Sequence, residues 1–254
     1  MPHTSHAPAK RGLRFLAREP YMREYAASAM SSRFLDTAAF NAFYAALTDE
    51  QKDDFLRVAS SYLFLVKQGD WHVTVEDANP VIDYFTNSFK LVSLFSLIES
   101  LSSERHQDFH EWLGHIGWDI YPISDKTALK QLHEKYKATY GSIRRCVAFF
   151  ERLSSAQQAG LCNAVQIDGA AVKSIKDVAQ FLYNLRSKFV HEGEFVLDIA
   201  NEPVISRHKN ANTLTALSMP KLLEAFEEGV VVYFTHAALN RTCAKSCRGR
   251  LAPR

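Results

Sequence analysis

Turn-forming residues are scarce in this sequence. Ten glycines and eight prolines among 254 residues come to about 7%, against roughly 12% in average usage. An all-β fold needs a turn about every ten residues, so the shortage favours long helices. Cysteine is also sparse. Cys146, Cys162, Cys243 and Cys247 are too few for a disulfide scaffold in a chain this long, which points to a reducing, cytoplasmic setting. No apolar run approaches the roughly 18 residues that a membrane span requires. The first twenty residues hold no apolar stretch of the secretory-signal kind. Their Lys10, Arg11, Arg14 and Arg18 stand against Glu19 alone, which leaves an organelle-targeting segment or, more plainly, a mobile terminus. An excess of one charge is missing too. Thirty Lys and Arg against 28 Asp and Glu give a net +2, which excludes a strongly basic coat and leaves room for a local patch. There is no G-x-G-x-x-G, no G-x-x-x-x-G-K-[ST] and no G-x-S-x-G, so Rossmann cofactors, P-loop hydrolysis and α/β-hydrolase chemistry have no foothold.

Apolar residues make up 47% of the chain, enough for a sizeable core. One domain of up to roughly 220 residues with ragged ends is the expectation. Residues 33–69 read as two helices, with Thr48 as the N-cap of the second and Gly69 and Asp70 ending it. Trp71 to Val75 reads as a short extended piece, and Pro80 suits the first turn of the next helix. From Tyr84 to Leu101 apolar residues cover nearly every face, the mark of a buried central helix. Further helices are expected over Ser103–Ile116 and Lys126–Phe150, with a break near Gly141. Residues 154–173 are ambiguous. Ile175, Val178, Leu182, Leu185 and Phe189 form a stripe at steps of three and four, and Gly193 suits the left-handed position that closes a helix. Phe195–Ile199 with Pro203–Ile205 reads as a small hairpin, and residues 219–240 as a final helix. The segments are then a mobile 1–19, an N-terminal helical part 20–79, an all-α bundle 80–240 and a disordered basic tail 241–254.

Three groups of residues could carry chemistry. His106, His110 and His115 include an i, i+4 pair that can chelate a metal, but H-E-x-x-H is absent and no cysteine is near, so ordinary helix histidines are the plainer reading. Cys243 and Cys247 are spaced C-x-x-x-C, without the C-x-x-C or second pair that a zinc site uses. The third is Arg186-Ser-Lys-Phe-Val-His191, at the end of the amphipathic stripe. An arginine fork fits a phosphate, and an imidazole moves protons near neutrality. Together they suit metal-free cleavage of a phosphodiester. Five residues at about 100° each put the two side chains roughly 140° apart on an ideal helix. They converge only if the last turn loosens near Gly193 or if two chains combine. RNA transesterification wants two proton carriers, and a two-fold dimer would supply two of each residue. Both residues also suit the C-terminal end of a helix dipole without any catalytic part.

The segment Y-N-L-R-S-K-F-V-H-E-G resembles the signature helix of the HEPN superfamily (higher eukaryotes and prokaryotes nucleotide-binding), most closely its Apea-like, abortive-infection branch. The helix around L-I-E-S-L, with Glu99, is similar to the family's earlier core helix. The resemblance covers residues 80–240. It implies an all-α bundle, a homodimer and, in active members, a metal-independent endoribonuclease of bacterial stress or phage defence, with no cofactor. Arg186 and His191 match the motif's two named positions, as phosphate stabiliser and general acid/base. Glu99 is a supporting residue, and Lys188 and Ser187 are RNA contacts. Active members often carry Asn, Asp or His after the arginine, where this chain has Ser187, and some carry Tyr where it has Gly193. Relatives without activity serve as RNA-binding or interaction modules, which is the alternative expectation here.

Overall fold

The computed structural model describes residues 13–70, 79–101, 109, 112–113, 125–208 and 211–248. The chain divides into two compact units, residues 1–63 with 234–254, and residues 64–233. Among the described residues there are nine α-helices: α1 (Glu19–Met30), α2 (Thr37–Ala45), α3 (Asp49–Tyr62), α4 (Asn79–Ser100), α5 (Lys126–Tyr140), α6 (Ser142–Phe150), α7 (Ser155–Asn163), α8 (Ile175–Glu192) and α9 (Met219–Arg248). A π-helical turn, Leu63–Lys67, follows α3. The mostly helical expectation holds, and a small four-stranded antiparallel sheet is added to it. No helix among the described residues is long and apolar enough to cross a membrane.

In the first unit, local sequence sets the helix ends. Asp36 caps α2 by accepting from the Ala39 amide at 2.7 Å. Thr48 caps α3 in a reciprocal box with Gln51, each side chain taking the other's backbone N–H, the arrangement in which two orphan donors are satisfied at once. Phe40, Tyr44, Phe55 and Phe234 are buried, and the rings of Phe55 and Phe234 meet edge to face with centroids 5.4 Å apart. Part of the terminus expected to be mobile is tied down here. The Asp53 carboxylate accepts from the Phe15 and Leu16 amides at 2.7 and 2.9 Å and so caps a short 3₁₀ turn at Leu16–Arg18.

In the second unit, α4 is the buried helix its composition calls for. Leu91, Leu94, Phe95, Leu97 and Ile98 are all buried. Gly141 separates α5 from α6. The ambiguous stretch resolves into α7 and a tight hairpin of β1 (Val165–Ile167) and β2 (Ala170–Ala171). Asp168 and Gly169 join these strands with φ of 49° and 82°, the left-handed pair that a two-residue hairpin needs. The sheet order is β2-β1-β4-β3, with β3 at Val204–His208 and β4 at Ala211–Thr215.

Two expectations change. The hairpin forms between β3 and β4, and Phe195–Ile199 is no strand. This segment spends its polar groups elsewhere. Val196 donates its amide to Ser88 Oγ on α4 at 2.9 Å, and buried Asp198 accepts from the Ser206 hydroxyl. The basic stretch after Arg241 is helical as far as Arg248 rather than a disordered tail, since nothing between Asn240 and Arg248 is a glycine or proline that would stop α9. The extended piece expected at Trp71–Val75 and nearly all of the helix expected at Ser103–Ile116 lie outside the described residues.

Gly229 on α9 tests the packing. A Cβ placed there falls on the Phe149 ring of α6, so the helices approach closely because glycine is there. Gly229→Ala should destabilise the protein by about 1–2 kcal/mol, an overpacking cost that outweighs the gain of up to about 1 kcal/mol in helix propensity. Gly160 on α7 has open space around its Cβ position, so Gly160→Ala should move the thermal midpoint the opposite way. Melting curves of the two variants check the sign of each.

Candidate functional site

The helix carrying Arg186 and His191 is defined at both ends. Ser174 caps α8 by accepting from the Asp177 amide at 3.2 Å. Ile175, Val178, Leu182 and Leu185 are buried along one face. At the far end Gly193 takes φ 71° and donates its amide to the Phe189 carbonyl at 3.2 Å. The helix is regular through Glu192, so the last turn does not loosen. Arg186 and His191 keep the separation of about 140° that five residues impose.

The consequence is visible in their surroundings. Arg186 is half-buried and His191 is exposed. The Arg186 guanidinium lies 5.6 Å from the centroid of the Tyr183 ring, a cation–π contact, and Tyr183 packs on Phe95 of α4 with centroids 6.0 Å apart. Cys146 of α6 is fully buried. Burial pushes its thiol up to about 12. The Glu99 carboxylate pushes the same way, and Arg186 and Arg145 pull it down. Glu99 from α4, Arg145 and Cys146 from α6 and Arg186 from α8 therefore share one neighbourhood. Arg186 Nε and Glu99 Oε1 are both buried without a hydrogen-bond partner among the described residues. Each such atom costs about 1–3 kcal/mol.

The two expected RNA contacts differ. Ser187 is half-buried. Lys188 is already engaged: its Nζ bonds Glu194 Oε2 at 2.8 Å across the helix end, and this bond, then the nearby acids, holds its ammonium above the usual lysine value. A phosphate would have to displace Glu194. At and just beyond the end of α8 some large apolar side chains reach solvent beside the charged Lys188, Glu192 and Glu194. Val190 and Leu197 are about half exposed, and Phe85, Phe89, Phe189 and Phe195 form an aromatic cluster whose closest pair, Phe85 and Phe195, has centroids 4.7 Å apart.

The structure thus places Glu99 and Arg186 about one thiol, that of Cys146, and leaves His191 about 140° around α8 from Arg186. Tyr183, Arg145 and Cys146 were missed by the sequence reading. Tyr183 stands three residues before Arg186, a spacing that places neighbours on one helix face. Arg145 and Cys146 carry no such local signal. His106, His110 and His115 lie outside the described residues, and among the described residues no group of three or more His, Cys, Asp or Glu is placed to hold a metal. Cys243 and Cys247 fall on the final turns of α9. No protein-family model, no curated protein and no solved structure matches this chain.

A thiol held near 12 has two measurable effects. Native Cys146 should resist thiol reagents at neutral pH and react only when the chain unfolds, as peptide mapping of labelled protein would show. An acid raised on folding stabilises fully below its unfolded value of about 8.5, and that stability is lost as pH climbs toward the folded value. The denaturation midpoint should therefore fall between about pH 7.5 and pH 9.5, and fall less in Cys146→Ala.

Proposed function

We propose that this chain is a metal-independent endoribonuclease of HEPN type, working as a homodimer whose two α8 ends form one site. The reading rests on one observation above all: Glu99 and Arg186, far apart in sequence, act on the same buried thiol, while His191 stands free at the exposed end of the same helix. The chemistry follows from those groups. The 2′-oxygen of the RNA attacks phosphorus, and the bond to the 5′-oxygen breaks. One imidazole takes the 2′-hydroxyl proton and a second gives a proton to the leaving 5′-oxygen. Arg186 stabilises the extra negative charge on the phosphate. Tyr183 orients the Arg186 guanidinium through its ring face, and Glu99 adds a nearby negative charge. The products are a 2′,3′-cyclic phosphate and a 5′-hydroxyl.

The motif of a single chain supplies one imidazole, His191, about 140° around the helix from its own Arg186. A two-fold pairing answers both problems, and the exposed apolar side chains of Val190, Phe195 and Leu197 at and beyond the end of α8 would offer it apolar contacts. Bacterial stress or phage defence is the setting this reading favours.

The same divergence of Arg186 and His191 favours a second reading, a non-catalytic RNA-binding or protein-interaction module that uses the same face. A cleavage assay separates the two. Under the first reading, purified protein in EDTA cuts single-stranded RNA to 2′,3′-cyclic ends. His191→Ala then lowers the rate about 10²–10⁴-fold, the range for a lost general acid or base, with an unchanged circular dichroism spectrum. Cleavage undiminished in that variant overturns the assignment, and RNA binding without any cleavage by the parent protein selects the module.

A further inference from the structure

Helix α5 carries more positive charge than the whole chain. Four lysines stand on it against a single acid, Glu134, for a net +3, while all 254 residues together come to +2. The charge is ordered. Lys126, Lys130, His133 and Lys137 occupy positions i, i+4, i+7 and i+11. At about 100° and 1.5 Å per residue they lie within an arc of roughly 60°, along about 16 Å of helix. All four are exposed. A different stripe packs the helix onto the protein. Ala128, Leu132 and Tyr136, at i, i+4 and i+8, are half-buried, and the other side chains from Lys126 to Lys137 are exposed.

Little compensates these cations. The Lys126 and Lys130 ammonium groups make no ion pair among the described residues. Lys137 reaches Glu134 at 3.6 Å in an exposed pair, a contact worth at most about 1 kcal/mol. Asp125, the acid at the helix start, accepts from the Thr127 amide at 2.8 Å as the cap. His133 differs in kind. Its ring meets Phe109 edge to face with centroids 5.4 Å apart, and lies nearly parallel to Tyr136 at 6.5 Å. Phe109 and Tyr136 in turn pack on buried Trp112. An exposed imidazole is thus backed by an aromatic cluster, in the middle of a row of lysines.

We propose that the Lys126–Lys137 face of α5 is a docking track for single-stranded RNA. The three lysines neutralise backbone phosphates along the strand, and His133 stacks on a base. A positive track with an aromatic ring set into it is the combination that binds single strands without reading their sequence. A bilayer surface fits less well. Helices that lie on membranes bury a free apolar face, and the apolar stripe of α5 is already packed against the protein. The proposal takes its ligand class from the nuclease reading. It places the strand on the same unit as Arg186, where α6 packs against both α5 and α8.

Fluorescence anisotropy of the full chain with a labelled 2′-O-methyl oligouridylate of about 16 nucleotides tests this, because a blocked 2′-oxygen keeps the probe from being cut. The triple variant Lys126→Gln, Lys130→Gln, Lys137→Gln should weaken binding about tenfold or more. It should also flatten the plot of log affinity against log salt by about 2, three phosphate contacts at roughly 0.7 each. The charge-matched variant Lys173→Gln, Lys176→Gln, Lys221→Gln alters exposed lysines outside α5 and should bind within about twofold of the parent. His133→Ala should weaken binding about fivefold or more, and His133→Phe, which keeps a ring, should not. The proposal is overturned by an absence of binding, by equal losses in the two lysine variants, or by a His133→Ala protein that binds as well as its parent. It is also overturned if phosphatidylserine vesicles capture the parent and release the α5 variant while RNA binds both alike. Binding without cleavage removes the nuclease reading and leaves the track. Cleavage together with binding that survives the α5 substitutions removes the track and leaves the nuclease.

Discussion

A helix advances about 100° per residue, and α8 obeys that rule to its last turn. This one constraint decides what the Arg186–His191 pair can do. Leu182 and Leu185 bury one face of the helix, and the same rotation turns Arg186 toward Tyr183 and the Cys146 niche while it leaves His191 in solvent. Gly193 then ends the helix in the left-handed conformation, so no distorted turn intervenes to bring the imidazole back. Any chemistry that needs both side chains on one phosphate must draw them from different molecules.

The niche around Cys146 shows what holds Arg186 in place. A guanidinium and a carboxylate taken partly out of water each lose hydration, and their mutual attraction repays this only if their remaining polar atoms are paired. Arg186 Nε and Glu99 Oε1 are not paired. The thiol beside them stays neutral because burial and Glu99 oppose its ionisation more than the two arginines favour it. The result is two opposite charges facing one buried thiol from α4 and α8, on a scaffold in which Phe95 of α4 and Phe150 of α6 pack with centroids 6.4 Å apart. Rigid helices position such groups better than loops do.

Much of this was legible in the residues. The stripe from Ile175 to Phe189, the Thr48 cap, the break at Gly141 and the stop at Gly193 are local signals, and each is where periodicity and capping chemistry put it. The small sheet was not legible. β1 and β2 are three and two residues long, too short for alternation to register, although the Asp168-Gly169 pair is a recognised hairpin signal. Phe195–Ile199 looked like a strand because it is a short apolar run broken only by Asp198. It is held instead by Ser88 and Ser206, partners that lie elsewhere in the chain. For the same reason the site was only half visible. Arg186 and His191 stand in one motif, whereas Arg145 and Cys146 join Arg186 through the packing of α6 against α8, which no local pattern reports.

The most direct test of the two-chain account is dominance. Wild-type protein and His191→Ala protein, carrying different tags and produced together at varied ratios, would be assayed for RNA cleavage against the wild-type fraction. A site shared between subunits predicts that activity bends well below proportionality, toward the square of that fraction as mixed dimers lose one imidazole. Activity strictly proportional to the wild-type fraction would mean that each chain works alone, and would contradict the account.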